Sequence, residues 1–131
     1  MILDTSAVIA ILRDEPEAVA FAKAIEEDTD RQISAVNYVE AAAVIDAAGD
    51  PIASRSFDEL LREAEVTIEP VTEAQAVIAR QAYRDFGKGS GHPARLNFGD
   101  CFAYALAKAK RQPLLFKGSD FAHTDVRRCL P

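Results

Sequence analysis

MILDTSAVIAIL (residues 1–12) sets a short apolar run, Met1 to Leu3, against one carboxylate, Asp4, and continues after Thr5 and Ser6 with apolar residues at helical spacing. Two readings of Asp4 compete. As a helix cap it would accept a bond from an otherwise unpaired N–H of the first turn. As an acid at the C-terminal end of a first strand it would stand where open α/β sheets bind ligands. The choice between them rests on the rest of the chain.

Outward from this stretch, helical and extended patterns alternate. Met1–Leu3 reads as a buried strand and Ser6–Arg13 as a helix. Pro16 suits the first turn of a second helix reaching about Glu27. Residues 31–35 read as a short strand, and NYVEAAAVIDAAG (37–49) as a helix with Gly49 at its C-cap. A helix over 52–65 and a strand over 66–70 follow. TEAQAVIARQAYRDFG (72–87) is a helix with a Thr cap and a terminal glycine, and GKGSGHPARLN (87–97) is a loop. FGDCFAYALAKAKR (98–111) is the next helix, PLLF (113–116) a buried strand, and TDVRRCL (124–130) offers one more strand. Such alternation predicts an α/β fold with a small, mostly parallel sheet covered on both faces.

At 131 residues and 49% hydrophobic content the chain suits a single domain, residues 1–131, with a real core. No run of eighteen apolar residues and no signal-peptide pattern stands in the sequence, so a soluble, cytoplasmic protein is expected. Cys101 and Cys129 show no metal-ligand spacing and read as reduced thiols. The net charge of −6 hides an asymmetry. Residues 1–83 carry 6 Lys/Arg against 17 Asp/Glu, a net of −11, and residues 84–131 carry 9 against 4, a net of +5. Charge split in this way suits a nucleic-acid face or an oppositely charged partner, and equally a solvated acidic helix surface.

Four acids lie beside apolar sequence rather than in charged runs: Asp4, Glu40, Asp100 and Asp120. Each has an ordinary alternative. Asp100 suits a helix first turn, Glu40 a solvent face, and Asp120 a turn after Gly118 and Ser119. As a set they place carboxylates at two strand ends and on two helices, which favours a divalent cation that relieves their repulsion.

The motifs MILDTSAVIAIL with EPE (15–17), SAVNYVEAAAV (34–44) and LNFGDCFAYALAKAKRQPLLFKGSDFAHTD (96–125) together resemble the PIN-domain ribonucleases, and within them the VapC-type toxins of toxin–antitoxin pairs. The resemblance spans nearly the whole chain. It implies a PIN-like three-layer α/β/α sandwich in which acids from distant segments converge on Mg²⁺ or Mn²⁺. Carried over by motif, Asp4 and Asp100 are the principal metal ligands, Glu40 and Asp120 complete the catalytic acids, and Ser6 braces Asp4. The segment after the last strand departs from the family's D-x-D-F: here it is G-S-D-F, with Gly118 in place of the first acid, which puts a second metal ion in doubt.

By the same resemblance the expected activity is Mg²⁺-dependent endoribonuclease cleavage of RNA, with an antitoxin protein as partner and a homodimer as the assembly. Lys88, Arg95 and Lys117 are candidate RNA-binding residues, with Arg84, Lys108, Lys110 and Arg111 as further phosphate contacts. Tyr83, Phe86 and Phe98 suit either base stacking or the core, and His92 and His123 carry no assigned role. Two rival functions are a catalytically silent binding module of the same fold and an aspartyl-phosphate phosphatase or receiver. The latter wants a second acid beside the first, which DTSAV lacks.

Overall fold

The computed structural model describes residues 1–131. The elements are β1 (Ile2–Leu3), α1 (Thr5–Leu12), α2 (Ala18–Glu27), β2 (Gln32–Ser34), α3 (Ala35–Asp46), α4 (Pro51–Glu63), β3 (Thr67–Glu69), α5 (Glu73–Phe86), α6 (Phe98–Lys110), β4 (Leu114–Leu115) and a 3₁₀ turn, Asp120–His123. The four strands pair in the order β3-β2-β1-β4, all parallel. The expected strand over 124–130 reduces to a single parallel bridge between Leu114 and Arg128, with Leu114 N–H donating to the Arg127 carbonyl. Gly49 does not cap α3: the helix ends at Asp46 with Ala47 as its cap.

Strand periodicity explains the layers. Neighbouring residues on a strand point to opposite faces, so Ile2 and Leu114 enter one core with Ala79, Ala82, Leu96, Tyr104 and Leu106 beneath α5 and α6. Leu3 and Leu115 enter the other with Val8, Phe21, Ile25, Ile33, Ile45 and Phe57 beneath α1 to α4. Helices therefore cover both faces of the sheet. Strands of two or three residues suffice because every position of β1, β2 and β4 is buried. On α3, Val39 and Val44 are exposed.

The topology also selects a site. From β1 the chain proceeds to β2 and β3 on one side of the sheet and only later to β4 on the other. Parallel strands that leave in opposite directions open a crevice beyond their carboxyl ends. Asp4 follows β1 at that crevice, and Lys117 to Asp120 follow β4. No helix is long and apolar enough to cross a membrane.

Helix α6 carries Asp100 and is held to the sheet by fully buried Leu106. Leu106→Ala is expected to lower the unfolding free energy by about 2–5 kcal/mol, measured by urea denaturation; a loss below about 1 kcal/mol would mean that α6 is anchored elsewhere.

Candidate active site

Asp4 is a helix cap and something more. Its Oδ2 accepts from the Ser6 backbone N–H at 3.0 Å and from the Ser6 hydroxyl, which satisfies the first turn of α1. Its backbone N–H donates to the Leu115 carbonyl at 3.0 Å, which prolongs the β1–β4 pairing. Yet Asp4 is 3% exposed, and Oδ1 is buried with no hydrogen-bond partner. A cap needs one oxygen; the other remains for a group that the protein itself does not supply. Burial is the largest cause of a carboxyl pKa pushed up to about 7, and nearby Asp100 and Glu40 add to it against the Ser6 bonds.

Ser6 ties this acid to the far strand. Its hydroxyl oxygen also accepts from the Lys117 N–H at 3.0 Å, so the segment after β4 hangs from the residue that braces Asp4. The Lys117 ammonium turns away from that contact, held by Glu15 at 3.0 Å and Glu17 at 3.2 Å.

Asp100 stands in the first turn of α6, where Asn97 is the cap. The two form a capping box: Asp100 N–H donates to Asn97 Oδ1 at 2.8 Å and Asn97 N–H to Asp100 Oδ2 at 2.9 Å. The box fixes the carboxylate's direction and commits one oxygen. Burial raises the Asp100 pKa to about 6, the Asn97 bond and Lys88 oppose it, and Asp120 and Glu40 add to it.

Glu40 reaches the same region from α3. The Thr5 hydroxyl donates to its Oε1, and Asn37 Nδ2 lies 3.4 Å from that oxygen. The carboxylate rests against Gly99, where a Cβ would collide with it, so a side chain at this position would push Glu40 out of its place. Asp120 is exposed on the 3₁₀ turn and completes the acidic rim. Gly118 has φ +97°, a conformation that side-chain-bearing residues rarely adopt. The missing family acid at this position thus coincides with a turn that favours glycine.

All four sequence-identified acids belong to one neighbourhood. The donor set is hard oxygen throughout, with an orphaned buried oxygen on Asp4. No three acids close on a point as a ready-made cage. That combination fits a cation such as Mg²⁺ or Mn²⁺, held by one or two carboxylates with water completing its shell.

The cations divide differently from expectation. Lys88 and Arg95 are exposed on the loop before α6 and outside every ion pair. Arg84 pairs with Asp85, Lys108 with Asp125 and Lys110 with Glu69. Lys108, Lys110 and Arg111 also occupy the opposite end of α6 from Asp100, about 16 Å along the axis from Asp100 to Arg111 at the usual helical rise. Phe86 packs against the core, while Tyr83 and Phe98 are exposed. Cys101 and Cys129 are free thiols whose burial pushes their pKa values up to about 12 and about 11.

Thr5, Asn37, Asn97 and Gly99 enter the site without having been singled out from the sequence. The N-x-x-D spacing of Asn97 and Asp100 is a capping-box signal, and Asn37 three residues before Glu40 shares its helix face.

Comparison with known proteins identifies the family. The family model described as PIN domain matches residues 1–127. Ribonuclease VapC28 of Mycobacterium tuberculosis is 59% identical over 130 residues, covering 99% of this chain and 98% of its own. Among solved structures, M. tuberculosis VapC20, described as a sarcin–ricin loop cleaving toxin, superposes with a TM-score of 0.72 at 15% identity, covering 95% of both chains. A toxin–antitoxin complex from Klebsiella pneumoniae gives a TM-score of 0.67 at 20% identity, over 92% of this chain and 89% of that one. Matched by the PIN-domain model over residues 1–127 and by a 59%-identical VapC ribonuclease over 99% of its length, the chain belongs to the PIN-domain family and, within it, to the VapC ribonucleases.

Proposed function

We propose that this protein is a divalent-metal-dependent endoribonuclease toxin that cuts RNA in the cytoplasm and is neutralised by a VapB-type antitoxin. The observation that carries the reading is the Asp4 carboxylate, buried with Oδ1 unpartnered and pressed toward its neutral form chiefly by that burial, with Asp100 and Glu40 adding to it. A structural acid would find a second donor; a ligand keeps an oxygen free.

When bound, Mg²⁺ or Mn²⁺ would make a water more acidic and offset charge on the phosphate oxygens. Asp4 through Oδ1 and Asp100 through its oxygen outside the capping box are the residues that would hold it. Glu40, steadied by Thr5 and Asn37, orients the attacking water or takes its proton, with Asp120 on the open rim as the second such acid. In-line attack then leaves a 5′-phosphate and a 3′-hydroxyl. Lys88 and Arg95 are the free cations best placed to meet the RNA backbone. Lys117 meets it only by giving up Glu15 and Glu17.

Charge supports the antitoxin half of this reading. An acidic pocket in a chain of net charge −6 suits a basic protein segment that competes with metal or RNA. A homodimer is part of the proposal, supported by exposed Tyr83 and Phe98 beside an apolar groove of about 500 Å³ between α5 and α6.

Purified, antitoxin-free protein incubated with total RNA is expected to cleave it with Mg²⁺ or Mn²⁺ and not with chelator. Asp4→Asn and Asp100→Asn should each cost on the order of 10²-fold or more in rate, because a ligand change removes several kcal/mol of charge stabilisation. RNA bound but uncut under every metal would mean a silent binding module, and equal cleavage by the variants would remove both acids from the chemistry.

Asp4 and Asp100 also set a pH dependence. Their folded pKa values, about 7 and about 6, lie above the ordinary 3.8, so the folded state holds more protons between those values. Stability from these groups is present below about pH 4 and is lost as pH rises toward 7. Melting curves of chelated wild type should show this fall between pH 4 and 7, flattened in Asp4→Asn; identical pH profiles for the two would contradict the buried, unpaired acid.

A further inference from the structure

Asn37 is 0% exposed, on α3 one turn before Glu40. Its Nδ2 lies 3.0 Å from the Gly99 carbonyl, 3.3 Å from Thr5 Oγ1 and 3.4 Å from Glu40 Oε1. An amide nitrogen has two protons, so Gly99 takes one and Thr5 and Glu40 share the other. These partners sit on α6, α1 and α3, the three helices that carry or follow the acids. Gly99 is bonded into the chain directly before Asp100, and Thr5 directly after Asp4. The Asn37 Oδ1, by contrast, is buried without a partner.

We propose that Asn37 is a positioning residue of the hydrolytic site, a single buried amide that sets Glu40 and the start of α6 relative to Asp4. The Gly99 surface against which Glu40 rests is part of the same device: the Gly99 carbonyl is held by the amide while its missing Cβ admits the carboxylate. Losing the amide frees α6 to shift by its first turn and leaves Glu40 on the Thr5 hydroxyl alone. The kinetic consequence rests on the metal-dependent ribonuclease reading; the consequence for metal affinity does not require RNA cleavage.

The test uses the full chain with Asn37→Ala and the near-isosteric Asn37→Leu, each alone and combined with Glu40→Gln. Mn²⁺ affinity is titrated by electron paramagnetic resonance, and kcat and KM are measured on RNA. Expected are losses on the order of 10–100-fold in Mn²⁺ affinity or kcat, KM within about twofold, and little further loss in kcat when Glu40 is already Gln. Unchanged Mn²⁺ affinity and kcat with only a lower melting temperature would overturn the proposal. So would full multiplication of the Asn37 and Glu40 effects, or failure of both single variants to fold, which would make Asn37 a stability residue. If wild type binds Mn²⁺ without cutting RNA, the ribonuclease reading fails and the Mn²⁺ titration alone decides the role of Asn37.

Discussion

A carboxylate at the end of a central parallel strand, sealed from water and hydrogen-bonded through only one of its oxygens, is unfavourable unless something outside the protein completes it. Asp4 is in that position, and much of the surrounding chain is arranged around it. Ser6 satisfies Oδ2 and receives the Lys117 N–H, so the β1 and β4 ends are joined through one side chain. Thr5, the next residue, holds Glu40, and Asn37 links Thr5 to Gly99. Three helices and two strand ends are thereby referenced to one unpaired oxygen.

The sheet order supplies the place, and local capping supplies the directions. Divergence of the chain at β1 opens the crevice, which is a property of topology and not of any one residue. Within it, Asp4 and Asp100 are each held through a helix N-terminus, by the cap of α1 and the capping box of α6. Capping and ligation are therefore not alternatives for these residues. A carboxylate has two oxygens, and the helix start uses one of them to aim the other.

The same physics explains how much could be read from sequence. Asp4 and Asp100 were legible because each interrupts apolar sequence at an element boundary, and the long helices were legible too, α5 from its Thr cap and terminal glycine and α6 from its apolar run. Asn37 and Thr5 were not, because polar residues in helices ordinarily face water, and only the crossing of α1, α3 and α6 buries Asn37 and half-buries Thr5. Lys108, Lys110 and Arg111 were grouped with the site because they share its helix; a helical rise carries them to its far end. Gly118 looked like a lost acid, and its positive φ gives the turn its own reason for glycine.

Asn is as good a helix cap as Asp, so Asp4→Asn keeps the bond to the Ser6 N–H and puts a neutral amide NH2, which cannot ligate a cation, in place of the unpartnered Oδ1. The most direct measurement is the melting temperature of Asp4→Asn against wild type at pH 7.5, first in chelator and then in Mn²⁺. If Asp4 is a metal ligand held at a cost to the fold, the variant melts higher than wild type in chelator, and Mn²⁺ raises wild type alone. A variant that melts lower in chelator, with both proteins responding equally to Mn²⁺, would make Asp4 a structural cap and contradict the assignment of the site.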